Sequence, residues 1–173
     1  MEKLKNILKK SWIIIGILFL LDFFTKLLIL LETPFELSLY GNYKEIYPSF
    51  FPISSPLPFF NIILVWNNGV SFSMFSSESL IGKIFLVLLS TIITSYIIYL
   101  LKQEKNKTNR FAFMLIIAGA LGNIFDRIRY GAVIDFLDFY IGSYHWPAFN
   151  LADIFICSGV GLIILNTIMT KKK

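Results

Sequence analysis

The sequence predicts an all-α membrane protein in which four transmembrane helices carry a small extracytoplasmic sheet. Three observations lead there. Of 173 residues, 56% are hydrophobic and only 16% charged, where a soluble domain carries roughly a quarter charged, so polar surface is too scarce to cover a water-facing globule. Four apolar runs approach the ~20 residues a helix needs to cross a bilayer core. The basic residues, finally, gather in short clusters beside those runs.

Run one is Trp12 to Leu31. Its lysine-rich start resembles a signal peptide, but the apolar stretch is too long and no small-x-small cleavage site follows, so it reads as a retained helix. Run two is Leu80 to Leu101. Run three covers 111–129, apolar from Phe111 to Phe125 and then meeting Asp126 and Arg127. Run four covers 150–169. Lys3, Lys5, Lys9 and Lys10 precede run one, Lys102, Lys105, Lys107 and Arg110 lie around the second connection, and Lys171 to Lys173 close the chain. These clusters hold 11 of the 16 basic residues. Under the positive-inside rule both termini and the 102–110 loop are cytoplasmic, and segments 32–79 and 130–149 extracytoplasmic. In the first of these, five prolines from Pro34 to Pro58 forbid a continuous helix, whereas Phe59 to Trp66 is strand-like and suits a small sheet on the membrane surface. The length suits one membrane domain over 1–173.

Several function classes drop out. A net charge of +5 placed as topology signals argues against nucleic acid as a partner, which would call for a folded basic surface with interleaved aromatics. Cys157 is the only cysteine and His145 the only histidine. No internal disulfide and no Cys/His zinc site can be assembled, and a Ser-His-Asp or Cys-His arrangement would rest on His145 alone.

Ionisable residues in apolar helices are costly and need a reason. Asp22 and Lys26 are four apart and share a helix face, which suits an internal ion pair. Lys26 as base for Ser71 or Ser73 is a second reading. Gly119 and Gly122 allow close helix packing in lipid, and Asp126 suits a buried anchor for the loop after it. Asp135 and Asp138 follow run three in an apolar segment. If that segment is extended they face opposite sides, so at most one points inward. Asn150 is a good N-cap and Asp153 follows three later, as in a capping box. A first-turn carboxylate there is also held rigidly at the rim in a favourable helix dipole. Asp135 and Asp153 thus offer two carboxyls in unlike environments, the condition under which one acts as general base and its partner as general acid. Spacing permits such a dyad without establishing it.

Four motifs then occur in order: Asp22-Phe-Phe-Thr-Lys26; Asn67-Asn-Gly69-Val-Ser71-Phe72; Gly119-Ala-Leu-Gly122-Asn123-Ile-Phe-Asp126-Arg127 followed by Gly131-Ala-Val-Ile-Asp135-Phe136; and Phe149-Asn150-Leu-Ala152-Asp153. Together they resemble the lipoprotein signal peptidase (signal peptidase II) family along nearly the whole chain. The resemblance implies an aspartyl endopeptidase of the bacterial cytoplasmic membrane, acting at the extracytoplasmic face without metal or cofactor. Its substrates would be diacylglyceryl-modified prolipoproteins, reached by diffusion among membrane lipids and cut on the amino side of the lipidated cysteine. It implies Asp135 and Asp153 as catalytic residues, with Asp126 second choice for the dyad. It assigns Asn67, Gly69, Asn123, Arg127 and Asn150 to substrate binding, and Asp22, Lys26 and Asp126 to structural support. A β-cradle and a short surface helix over the site are implied for segment 32–79.

Two other classes compete. A small transporter or channel would use Asp22, Lys26 and Asp126 as an ion path, yet no inverted repeat is visible. An assembly protein would use Gly119 and Gly122 for helix contacts and would not need the aspartates. The resemblance also predicts sensitivity to globomycin-type inhibitors. Prolipoprotein cleavage by purified protein should stop as the cyclic peptide is titrated in, and full activity at saturating inhibitor would contradict the likeness.

Overall fold

A computed structural model describes residues 2–33, 50–69 and 80–171. Four helices, α1 (Glu2–Leu31), α2 (Leu80–Gln103), α3 (Lys107–Tyr130) and α4 (Leu151–Lys171), are long and apolar enough to cross a bilayer. A small antiparallel sheet is built from β1 (Phe50–Leu57), β2 (Phe60–Asn67), β3 (Val133–Ile141) and β4 (Tyr144–His145), in the order β1-β2-β3-β4. The expected short surface helix, with Ser71 and Ser73, lies outside the described residues. Helices α1 and α3 begin earlier than their apolar runs because hydropathy marks the bilayer-facing part, whereas caps and breakers mark the helix end. Asn106 supplies such a cap: its Oδ1 accepts the N–H groups of Thr108 at 2.8 Å and Asn109 at 3.1 Å, so α3 starts at Lys107.

The chain's contacts group into two units. The first comprises the chain up to Asp22, Val87–Ile124 and everything from Leu151 on. Its core joins Ile15 of α1 and Leu101 of α2 to Phe113, Met114 and Ile116–Ala118 of α3. Ile13, Ile17, Leu88, Ile92, Ile164 and Leu165 point outward, which suits helices solvated by lipid. Small residues let α3 and α4 approach closely. A Cβ added at Gly119 would collide with the carbonyl oxygen of Ala152, and one at Gly159 would stand 2.6 Å from that of Ala112.

The far end of this unit carries a polar latch. Arg110 is buried, and its guanidinium donates to the Leu101 and Glu104 carbonyls at 3.4 and 3.0 Å and to Ser11 Oγ at 2.9 Å. It therefore ties three segments together, besides adding to the local positive charge.

In the second unit, Phe23–Leu86 and Phe125–Asn150, α3 stops at Gly131, whose φ of 73° is open to glycine but strained for other residues, while its N–H still bonds to the Arg127 carbonyl at 3.0 Å. β3 begins two residues later. β1 holds Pro52 and Pro56, which cannot donate to a ladder, and it is an edge strand as that requires. β3 is buried along most of its length. Its pairing with β2 slips by one residue: Asn61 faces Asp138 and Ile62 faces Leu137, but Val65 faces Asp135, so Ile63 and Leu64 together oppose Phe136. This is a β-bulge.

The α2–α3 connection yields a pH prediction. Glu104 accepts the N–H groups of Asn106 at 2.8 Å and Lys105 at 2.7 Å, and Asn109 Nδ2 at 3.1 Å. The Asn106 bond, above all, holds its carboxyl below the usual range, partly offset by burial. A carboxyl lowered on folding stabilises above its unfolded pKa of about 4.3 and loses that contribution as pH falls through the folded value. Glu104→Gln should thus cost under ~1 kcal/mol of stability at neutral pH, as for other solvent-screened surface carboxylates, and lower the thermal midpoint slightly. Unfolding scans at acid pH should bring wild type and variant together; a gap that widened in acid would contradict the assignment.

Candidate active site

The side chain of Asp135 is 1% exposed in the middle of the apolar run Val133–Phe136. A carboxylate so placed must be hydrogen-bonded or the burial is prohibitive. Two amides meet the need. Asn67 Nδ2 donates to Oδ2 at 2.8 Å, and Asn150 Nδ2 donates to Oδ1 at 2.8 Å. Asn67 is oriented in turn by the N–H of Gly69, which bonds to its Oδ1 at 2.8 Å from a left-handed turn with φ 79°. Gly69 owes its place to that backbone shape.

The bulge in β2 explains how Asn67 reaches Asp135. Asn61 and Asn67 are an even number of residues apart and would share one face of a regular strand. Asp138 and Asp135 are an odd number apart and do not share a face. The extra residue on β2 resolves the mismatch: Asn61 Nδ2 bonds to Asp138 Oδ2 at 2.8 Å, while Asn67 bonds to Asp135. The expectation that at most one of these aspartates points inward is corrected here. They lie on opposite faces, but both faces are covered, and Asp138 is also buried, at 4% exposure.

The residue before Asp135 is pinned from both sides. Ile134 N–H donates to Asp126 Oδ2 at 3.3 Å, and its carbonyl accepts Asn150 Nδ2 at 3.2 Å. The same Asp126 oxygen pairs with Lys26 Nζ at 2.8 Å, both side chains being almost wholly buried.

Asp153 belongs to the other unit, in the first turn of α4. Asn123 Nδ2 donates to its Oδ1 at 2.9 Å. The neighbouring N–H of Ala152 donates to Asp22 Oδ1 at 2.8 Å, so a carboxylate from α1 meets one of the amides that a helix start leaves without an internal partner. A Cβ at Gly122 would collide with that Asp22 carboxylate, which accounts for the glycine. Arg127 is half-buried in the last turn of α3.

Asn67, Asn123 and Asn150 therefore each have an amide on a carboxylate, whatever they offer a substrate. Sequence reasoning passed over Asn61, and it set His145 aside as a lone histidine. His145 Nδ1 lies 2.9 Å from both oxygens of Asp138, and its ring stacks on Tyr140. The second acid in an apolar segment, Asp138, was the available signal.

Comparisons with known proteins follow the same lines. The model of a family described as signal peptidase (SPase) II matches residues 14–169. A lipoprotein signal peptidase of Vibrio cholerae serotype O1 is 45% identical over 118 residues, covering 67% of this chain and 69% of that one. One from Francisella tularensis subsp. novicida is 45% identical over 118 residues, covering 66% and 73%. Two solved structures, each described as a bacterial membrane enzyme obtained by the in meso method, superpose with TM-scores of 0.71 at 28% identity. The first covers 94% of this chain and 90% of its own.

Asn150 provides a test of the carboxylate's support. Asn150→Leu keeps the number and branching of side-chain heavy atoms but removes the donor to Asp135 Oδ1 and to the Ile134 carbonyl. Leaving buried acceptors unsatisfied costs ~1–3 kcal/mol each. The thermal midpoint in detergent should fall clearly, and an unchanged midpoint would mean that these bonds carry no weight.

Proposed function

Because the chain belongs to the signal peptidase II family, we propose that it is an aspartic endopeptidase that cuts diacylglyceryl-modified prolipoproteins on the amino side of the lipidated cysteine, with Asp135 and Asp153 as its reacting carboxyl groups. The carrying observation is Asp135, an acid sunk in an apolar strand, with a donor amide on each oxygen. Such support costs residues and is hard to explain for a merely structural loop acid. Asp153 supports the reading as the fixed first-turn acid of α4, held by Asn123.

In this reading the ionised carboxylate takes a proton from water as the water oxygen attacks the scissile carbonyl carbon. The protonated partner hydrogen-bonds to the carbonyl oxygen, stabilising the tetrahedral intermediate. When the C–N bond breaks, a carboxyl proton passes to the leaving amine, and the lipidated cysteine emerges as the new N-terminus. Asn67, Gly69, Asn123, Arg127 and Asn150 contact the substrate backbone around these acids.

The chain is a multi-pass bacterial membrane protein. In the proposed arrangement residues 1–173 work as one domain, the Lys102–Arg110 loop and both termini are cytoplasmic, and the reaction takes place at the outer face, where water is available. Substrate anchored by its acyl chains arrives by diffusion in the bilayer, and globomycin-type inhibitors compete with it.

Asp135→Asn and Asp153→Asn should each abolish cleavage, by 10³-fold or more on the order of other general acid–base losses, while the protein stays folded and inserted. The assay is release of signal peptide from a diacylglyceryl-modified prolipoprotein in detergent or bilayer. Normal turnover by either variant removes that residue from the mechanism, and dependence on Ser71 or Ser73 would favour serine–lysine chemistry instead.

A further inference from the structure

We propose that buried Asp126, paired with Lys26, is a positioning residue for Asp135, acting through the backbone of Ile134. The inference rests on the reading of Asp135 as a reacting group.

A side chain's direction is set first by the two dihedrals of its own residue and the peptide plane it hangs from. The plane entering Asp135 contains the Ile134 carbonyl, which Asn150 Nδ2 holds at 3.2 Å. The plane before it contains the Ile134 N–H, which Asp126 Oδ2 holds at 3.3 Å. Ile134 itself is buried, at 1% exposure. Both planes flanking one α-carbon are thus fixed by side chains from outside the strand. Asn150 reaches on to Asp135 Oδ1 as well, so backbone and carboxylate share a restraint. The Asp126 oxygen that receives the Ile134 N–H also pairs with Lys26 Nζ, at 2.8 Å.

Stability alone is a poor explanation for this arrangement. Replacing a buried ion pair with apolar residues of similar volume is often neutral or stabilising, whereas removing one partner is strongly destabilising. What the pair provides, and an apolar pair would not, is an acceptor for the Ile134 amide held at a fixed point. The register of β3 at Asp135 then does not depend on the bulged ladder to β2 alone.

Two charge-free double variants separate positioning from folding. Lys26→Met/Asp126→Asn removes both charges but keeps an oxygen at residue 126 to accept the Ile134 N–H. Lys26→Met/Asp126→Leu has nearly the same shape and no acceptor. Both are compared with wild type and Asp135→Asn in full-length protein, using a diacylglyceryl-modified prolipoprotein and measuring kcat, KM and thermal midpoint. The asparagine variant should keep kcat within about tenfold of wild type. The leucine variant should lose about 100-fold in kcat with KM little changed, the size of loss that a small misplacement of a reacting group produces. Equal kcat values in the two variants, high or low, would overturn the proposal. Activity in Asp135→Asn would instead overturn the reading beneath it. Should the leucine variant fail to insert, hydrogen exchange at the Ile134 amide decides: slow exchange in wild type and in the asparagine variant is expected, and exchange as fast as in exposed loops in either overturns the pinning.

Discussion

An ionisable acid inside an apolar strand is the constraint around which the second unit is organised. Asp135 lies at 1% exposure, and a carboxylate there without donors would cost several kcal/mol. Asn67 and Asn150 remove that cost, and each brings a consequence for the backbone. Asn67 requires the turn at Gly69 to face the right way. Asn150, which bonds to the acid, is also the last residue of the chain before α4. The motifs that look like separate stretches of sequence are parts of one hydrogen-bond requirement.

The other polar residues of this apolar chain follow a common pattern. Asp22, Asp126 and Arg110 each bond to main-chain groups of a different segment: the Ala152 N–H, the Ile134 N–H, and the Leu101 and Glu104 carbonyls. In hydrocarbon there is no water to satisfy a free amide or carbonyl. A charged side chain aimed at a helix or strand terminus therefore does two things. It solvates itself, and it fixes where the neighbouring element begins or ends.

How much of this was legible depended on the range over which each signal acts. The four helices were readable because apolar runs of bilayer length have few other uses, and β2 was readable from its branched and aromatic content. The starts of α1 and α3 were missed by several residues: the lysines before Trp12 sit on a continuous helix, and Asn106 fixes the start of α3. Motif likeness brought Asp135, Asp153, Asn67, Asn123 and Asn150 forward as candidates. Partners were another matter. Helical spacing put Lys26 beside Asp22; it carried no sign of Asp126, a hundred positions away in sequence, whose carboxylate pairs with Lys26 at 2.8 Å. Likewise the reading that one of Asp135 and Asp138 must face outward assumed a sheet with a wet side, which β3 lacks from Val133 to Asp138.

The bulge in β2 has a consequence for how such a chain can vary. The side chains at Ile63 and Leu64 are ordinary fillers, and related aliphatic residues would serve as well. Their number is not ordinary. Losing one of the two would leave composition and hydropathy almost untouched, yet it would turn Asn67 toward the opposite surface of the sheet and take its amide away from the acid. In that short stretch the chain is forgiving about letters and intolerant about count.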